Sequence, residues 1–277
     1  MKIGSLFQNL YRNAFANKYC YNFNLFLYRC SLNGMGILNY ENEKLSGEMF
    51  FIKKTLPRLL NSRDQLTFVD IGANSGKYTL MLKKYFPEST IYAFEPHPLS
   101  YINLKNNCET IKGIMPLNFA LGKFKEEKKL YDIDTNGSEH ASFFQNTLSD
   151  GDIKSVSSFE NNVKVETLDR IAKSHRIDCI DFLKIDTEGA ELDIIMGGEK
   201  LLSEKKIKII QLEFNMTNVI SRVFFRDIRL QLKEYTFFRL LPKSLLLFQW
   251  WPPYCEIFAF QNIICVHNSV MEKCKWL

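Results

Sequence analysis

The sequence predicts an α/β protein built on a doubly wound, mostly parallel sheet, and three observations carry that prediction. An apolar run from Leu66 ends at the acid Asp70 and leads into a turn bracketed by Gly72 and Gly76. A second run, Thr90 to Phe94, ends at Glu95, 19 residues (95 − 76) beyond Gly76. From there, segments with strand and helix character alternate as far as residue 214. Such alternation puts helices on both faces of a parallel sheet and leaves the carboxyl ends of its strands as the ligand-binding rim.

Residues 1 to 60 precede the first strand and show no strand alternation, so they are read as a helical N-terminal extension, with 61 to 277 as the ligand-binding domain. Phe7, Tyr11, Phe15 and Tyr19 recur every fourth residue and form one helical stripe. The stripe is expected to pack on the main domain or on a second copy in a homodimer. A peripheral membrane contact, with Lys2, Arg12 and Lys18 nearby, is the alternative. Asn33-Gly34 with Gly36 marks a break, and Glu48 to Leu60 reads as one amphipathic helix.

The first strand, to Ile71, feeds the glycine turn and a helix from Lys77 to about Phe86. Without a Cβ, Gly72 and Gly76 can adopt φ > 0 and let backbone approach a ligand, while the helix aims its free N–H groups at it. The turn has two glycines, not the three of the dinucleotide fingerprint. At the tip of the second strand, Glu95 is placed to accept hydrogen bonds from both hydroxyls of a ribose. A helix from Pro98 to about Cys108 and a strand from Met115 to Leu121 follow.

Residues 122 to 158 interrupt the rhythm. Lys125 to Lys129 reads as a solvated loop or hairpin, and Asn136 to Ser142 as a lid over the cofactor. Order returns with a strand at Val163 to Glu166, a helix from Thr167 to about His175, and a strand from Ile180 to Asp186. Thr187 to Glu191 then opens a helix over residues 188 to 204, and the strand Ile207 to Phe214 follows. A helix from Val219 to Tyr235 and strands near Phe237 to Leu241 and Ile257 to Val266 complete the chain. Asp70, Glu95, Asp186 and Glu213 therefore all stand at the carboxyl ends of predicted strands, on one rim.

The 277 residues suffice for a large core, and the net charge of +5 permits an acidic ligand without demanding nucleic acid. The seven cysteines are odd in number and form no C-x-x-C, which suggests neither a disulfide framework nor a zinc site. A cytoplasmic protein with reduced cysteines is expected. No secretory signal is read, because the N-terminus soon meets Arg12, Asn13 and Asn17 without a continuous apolar segment, and no transmembrane segment, because Gln249, Pro252, Pro253 and Glu256 interrupt the most apolar late stretch.

Five blocks, Phe68 to Thr79, Ala93 to Pro98, Asn118 to Gly122, Glu166 to Asp169 and Leu183 to Glu191, together resemble the successive motifs of FkbM-family S-adenosylmethionine-dependent methyltransferases, in the family's order. The resemblance spans roughly residues 66 to 214. It implies a class I methyltransferase (Rossmann-like) fold in which Asp70, Gly72, Asn74 and Gly76 hold the methionine part of the cofactor. Glu95 would hold the ribose, Ala120 would border the adenine, and Ser142 would stand in a small-residue loop near the cofactor. His97 departs from the asparagine common in the family's Glu-Pro-Asn-Pro block.

Methyl transfer to a hydroxyl calls for alignment of nucleophile and methyl carbon, exclusion of water, and a base. Asp186 is the leading base candidate and also lies against the cofactor; Glu188, Glu191 and Glu213 are reserves. The dipole of the 188 to 204 helix would oppose a base role for Asp186 and Glu188. A divalent cation held by these acids is the alternative, with no metal ligands assigned. Glu188 and Glu191 read equally well as helix-end caps. Trp251-Pro252-Pro253-Tyr254 lacks the amide oxygen of amino-group methyltransferases and reads as a turn packed by aromatics. His97, His140, His175 and His267 read as surface or contact residues. The expected function is O-methylation of a small-molecule or glycan acceptor, a sugar, nucleotide-sugar or glycan precursor. A nicotinamide-dependent oxidoreductase and a non-catalytic cofactor-binding or interaction protein are the alternatives.

Overall fold

The computed structural model describes residues 2–60, 65–132, 141–144, 159–249 and 255–274. Strands in chain order are β1 (Thr67–Ile71), β2 (Thr90–Phe94), β3 (Ile114–Leu117), β4 (Ala120–Leu121), β5 (Glu126–Asp132), β6 (Phe159–Glu166), β7 (Ile180–Ile185), β8 (Ile207–Phe214), β9 (Tyr235–Leu241), β10 (Ser244–Leu247) and β11 (Gln261–His267). Eight of them form one sheet in the order β10-β9-β11-β8-β7-β1-β2-β3. From β8 through β7, β1 and β2 to β3 the pairing is parallel, and β11, β9 and β10 add an antiparallel edge. The chain leaves β1 toward β2 and β3, then returns to lay β7 on the other flank. The gap between β1 and β7 is thus the switch point where open sheets of this kind bind ligands.

Because successive side chains of a strand point to opposite faces, β1 supplies Phe68 to one core and Val69 to the other. Phe182 of β7 packs edge-on to Phe68, tilted on Phe51 and stacked on Tyr78. A second, three-stranded sheet, β4-β6-β5, covers the carboxyl-end side with its own small core of Ala120, Leu130, Val163 and Val165. The Lys125 to Lys129 run lies at the start of a hairpin strand there, paired antiparallel to β6.

Four predicted elements are divided, each by an identifiable contact. The expected strand Met115 to Leu121 is broken because the Asn118 amide donates to the Glu95 and Pro96 carbonyls, bending the chain out of the main sheet into the small one. The helix expected over 188 to 204 becomes Glu191–Met196 and Glu199–Ser203. At the break a Cβ on Gly197 would stand 2.1 Å from the Gly122 carbonyl oxygen, and Asp169 caps the second piece through Lys200 N and Leu201 N. The helix expected over 219 to 235 becomes Thr217–Ser221 and Phe225–Gln231, separated by Arg222 at φ +58° and restarted by Glu256, which accepts from Phe225 N and Arg226 N. Within Glu48 to Leu60 the turn Phe51–Thr55 widens to a π-helix just before Pro57, which has no N–H to return to the residue four back.

At the N-terminus, α1 (Lys2–Phe15) and α2 (Tyr21–Gly34) form a hairpin. Tyr11 stacks on Phe15, Phe15 meets Phe23, and the Tyr11 hydroxyl donates to Asn24 Oδ1. The stripe does not pack on the main domain as expected: Phe7 is 68% and Tyr19 86% exposed. Contact with the body begins at Leu32 and Ile37 and deepens at Phe51, Ile52 and Leu56, all buried. No helix of the described residues is long and apolar enough to cross a membrane.

Candidate active site

The turn after β1 is tied to β2, since Gly72 N and Ala73 N both donate to the Phe94 carbonyl. Gly72 takes φ +79°, and a Cβ built there would lie 1.8 Å from the backbone oxygen of Asp186. Only glycine lets these two loops touch. Gly76, at φ +87°, starts the helix Lys77–Tyr85 and faces Leu104 and Cys108, so it sets helix packing and does not line a cavity. Asp70 is wholly buried behind the turn. Its Oδ2 accepts from the Thr79 hydroxyl (2.6 Å), while Oδ1 has no hydrogen-bond partner and lies 4.0 Å from Lys184 Nζ. Burial raises the Asp70 pKa, against the opposing charge of Lys184.

A cavity of about 580 Å³ opens beside this turn, bordered by Gly72, Asn74, Glu95, Ala120, Phe143 and Asp186 among others. Asn74 N donates to Glu95 Oε2 and His97 N to Oε1, both at 2.8 Å. One backbone donor on each oxygen fixes the carboxylate and leaves lone pairs for two further donors. Burial pushes the Glu95 pKa up to about 7, partly offset by those two N–H groups. Phe119, Ala120, Leu121 and Phe143 line an apolar part of the same cavity. A flat heterocycle beside a ribose fits this arrangement, so the residues present suit the adenosyl part of S-adenosylmethionine. Ser142 lies near but does not line it: the buried hydroxyl donates to the Glu188 carbonyl and accepts from Phe144 N, supporting the loop that carries Glu188.

An open groove of about 1800 Å³ adjoins the cavity, and the two share Gly72, Asn74 and Asp186. Its wall includes Tyr40 and Glu48 from the N-terminal segment, and its floor includes Tyr78, Lys184, Asp186 and Glu213. Lys184 is a buried cation in an otherwise apolar strand end. Its Nζ donates to Asp186 Oδ2 (2.8 Å) and lies 4.8 Å from the centre of the Tyr78 ring. Burial lowers its pKa, but Asp186, Asp70 and Glu48 outweigh that and hold it above its ordinary value. Gln211 joins the rest, accepting from the Tyr78 hydroxyl and donating to Glu48 Oε1 and Asn262 Oδ1. Glu48 and Glu213 are both raised, by burial first; at Glu213 the Asp186 and Glu188 charges push further. The Asn215 amide bridges Glu213 Oε1 (2.6 Å) and Glu188 Oε2 (3.1 Å).

Asp186, Glu188 and Glu213 are therefore brought together; Asp186 and Glu188 line the cavity with Glu95, and Glu213 lines the groove. The helix whose dipole was expected to act on Asp186 and Glu188 begins at Glu191, and Glu188 sits in the loop before it at φ +52°. Glu191 is buried: Oε1 accepts from Thr187 N, Thr187 Oγ1 and Gly189 N, and Oε2 from Asn218. It holds the loop together from inside and does not face the cavity.

His97 is not at the surface; it is buried and caps the helix Pro98–Cys108, with Nε2 3.6 Å from Asp132. His267 is buried too, against Ser269 and Glu234. His140, most of the expected lid and Trp251 to Tyr254 lie outside the described residues. Among the described residues no group of three or more His, Cys, Asp or Glu is disposed to hold a metal ion, so the acids do not fit the divalent-cation alternative.

Four site residues escaped the sequence reading: Lys184, Glu48, Tyr78 and Gln211. Lys184 carried a usable signal, a lysine inside a buried strand next to two acids. Glu48 carried none, because it meets Gln211 across 163 residues.

The model of the FkbM methyltransferase domain matches residues 70–238. This chain belongs to the FkbM methyltransferase family. The match agrees with the methyltransferase reading and not with the nicotinamide-dependent alternative. Among curated relatives, Methyltransferase 1 of Beauveria bassiana is 28% identical over 146 residues, 48% of this chain and 59% of that protein. The hexuronic acid methyltransferase AglP of Haloferax volcanii is 23% identical over 52% of this chain and 54% of its own. The 2-O-methyltransferase NoeI of Sinorhizobium fredii is 23% identical over 56% and 66%. The chain thus spans between about half and two thirds of the length of these FkbM relatives. Among solved structures, Aeropyrum pernix fibrillarin with bound S-adenosyl-L-methionine aligns with a TM-score of 0.43 and 12% identity, covering 79% of this chain and 73% of that one. The architecture of this family member, a class I methyltransferase (Rossmann-like) sheet, stands on its own strand order.

Proposed function

We propose that this FkbM-family chain is an S-adenosylmethionine-dependent O-methyltransferase that methylates a hydroxyl of a sugar, nucleotide-sugar or glycan precursor. The observation that carries the reading is the meeting of two clefts at Asp186: one suited to an adenosyl group, one broad, polar and open. A transferase needs donor and acceptor to meet at one point, and the acid there touches both. The names of the AglP and NoeI relatives support a sugar hydroxyl as the acceptor.

S-adenosylmethionine, when bound, supplies a methyl group already activated on sulfur. Glu95 would accept hydrogen bonds from the two ribose hydroxyls. Ala120 and its apolar neighbours would border the adenine, and the backbone at Gly72 to Asn74 would hold the methionine part. Asp70, Gly76 and Ser142 act from behind: Asp70 holds Thr79 and Lys184, Gly76 sets the helix after the turn, and Ser142 supports the Glu188 loop. Asp186 would take the proton of the acceptor hydroxyl and so free its oxygen for methylation. Lys184 holds Asp186 in place; Glu213 and Glu188 line up behind it on Asn215. Residues 61 to 277 form the transfer domain and 1 to 60 a helical extension whose later part enters the core. The acceptor is a small molecule or glycan.

Calorimetric titration with S-adenosylhomocysteine, NAD and NADP tests the reading. Binding of the thioether alone is expected; binding of a nicotinamide nucleotide alone defeats it. Asp186→Asn should then retain thioether binding and lose turnover by about two to four orders of magnitude. Retained turnover in that variant, with loss in Glu213→Gln, would move the base to Glu213.

A further inference from the structure

The N-terminal hairpin takes no part in either cleft, yet its surface is unusual in two independent ways. Leu6, Phe7 and Leu10 of α1 are 62, 68 and 60% exposed, and Tyr19 before α2 and Tyr21, Phe23, Phe26 and Tyr28 on it are exposed as well. Isolated exposed hydrophobics are ordinary, but three large ones on one arc of a helix mark a contact surface. Residues 1 to 40 also carry Lys2, Arg12, Lys18 and Arg29 and no Asp or Glu, so four of the five net positive charges of the chain sit on this segment.

The two features together select the occupant. On α1, Leu6, Phe7 and Leu10 fall on one arc at helical spacing, with Tyr11 and Phe15 turned toward α2; Ser5, Asn9 and Arg12 fall on the other side. A helix with Phe and Leu on one face and basic residues on the other lies in the boundary between lipid headgroups and acyl chains. Tyr19, beside Lys18, and Tyr28, beside Arg29, combine an apolar ring with a polar tip, which suits that boundary. An anionic surface complements a segment with four cations and no acid, whereas a second copy carries the same charges and offers none to pair with them.

We propose that the α1–α2 hairpin docks on an anionic phospholipid bilayer, its apolar face in the interface and the basic side chains Arg12, Lys18 and Arg29 against the headgroups. The hairpin spans nothing; it holds the catalytic sheet against the surface. The inference does not depend on methyl transfer.

Co-sedimentation of the full chain with vesicles of phosphatidylcholine alone, and of phosphatidylcholine with phosphatidylglycerol, tests it. Retention on the anionic vesicles is expected, weakening as salt shortens the screening length from about 10 Å at 0.1 M to about 3 Å at 1 M. Phe7→Ser with Leu10→Ser, and separately Arg12→Glu with Lys18→Glu, should each lower binding about tenfold or more. These side chains are exposed, so thermal unfolding should stay at the wild-type temperature and show that each variant folds. No retention on anionic vesicles, equal retention on both vesicle types, or retention that neither pair changes would overturn the proposal. So would light scattering that shows a dimer dissociated by the Phe7 and Leu10 substitutions, since a second copy would then own the face.

Discussion

Glu95 links the geometry of one residue to a measurable pH dependence. Burial raises its pKa to about 7, so the folded protein holds a proton there that the unfolded chain has released above its ordinary carboxylate range. That contribution to stability is present at low pH and lost as pH rises through about 7. A ribose offers two donors and selects the ionised form. Affinity for S-adenosylhomocysteine should therefore rise more than about tenfold between about pH 5.5 and about pH 8, and Glu95→Gln should flatten the curve. Glu95→Ala removes two hydrogen bonds to a charged acceptor, about 3 kcal/mol or on the order of a hundredfold in affinity by calorimetry. Gly72→Ala belongs to the same scale: with φ +79° and only 1.8 Å to the Asp186 oxygen, a methyl group must displace one loop. A loss of about 3 kcal/mol or more in unfolding free energy is expected from denaturant titration.

Among the elements, β7 carries the most, for Phe182 touches three other rings while Lys184, two residues on and on the same face, sits among acids. Phe182→Ala should cost about 3–5 kcal/mol in chemical denaturation. Local pattern made much of the fold legible: the run to Asp70, the glycine turn, the Glu95 strand and the β7 and β8 strands all stand where periodicity put them. What pattern missed are the interruptions, and apart from the turn before Pro57 each depends on a contact distant in sequence. The Glu256 carboxylate restarts a helix 30 residues earlier, and Asn118 reaches back 23 residues to bend a strand. At the site, the rim acids were legible because each ends a strand. Glu48 and Gln211 were not, because neither residue's own surroundings predict a partner across the sheet. The hairpin strand β10 was hidden in an apolar stretch that alternation did not punctuate.

For the whole molecule, the division between attached and built-in parts of the N-terminal segment makes a prediction of its own. Of α2 only Leu32 is buried, whereas Phe51, Ile52 and Leu56 are wholly enclosed and Glu48 reaches the groove. Deleting residues 1 to 30 should leave the thermal unfolding temperature within a few degrees of the full chain and thioether affinity unchanged. Deleting 1 to 60 should give no cooperative transition, since several buried side chains worth about 1.5–3 kcal/mol each go with it. The two truncations, followed by circular dichroism, separate a surface attachment from a structural one.

The contact at Gly72 is made with the backbone oxygen of Asp186 and not with its carboxylate. The closure of these two loops therefore does not itself call on the Asp186 carboxylate, which is left to meet Lys184. Architecture and chemistry are thus separable where the two clefts meet: backbone closes the loops, while the side chains of the rim face the clefts.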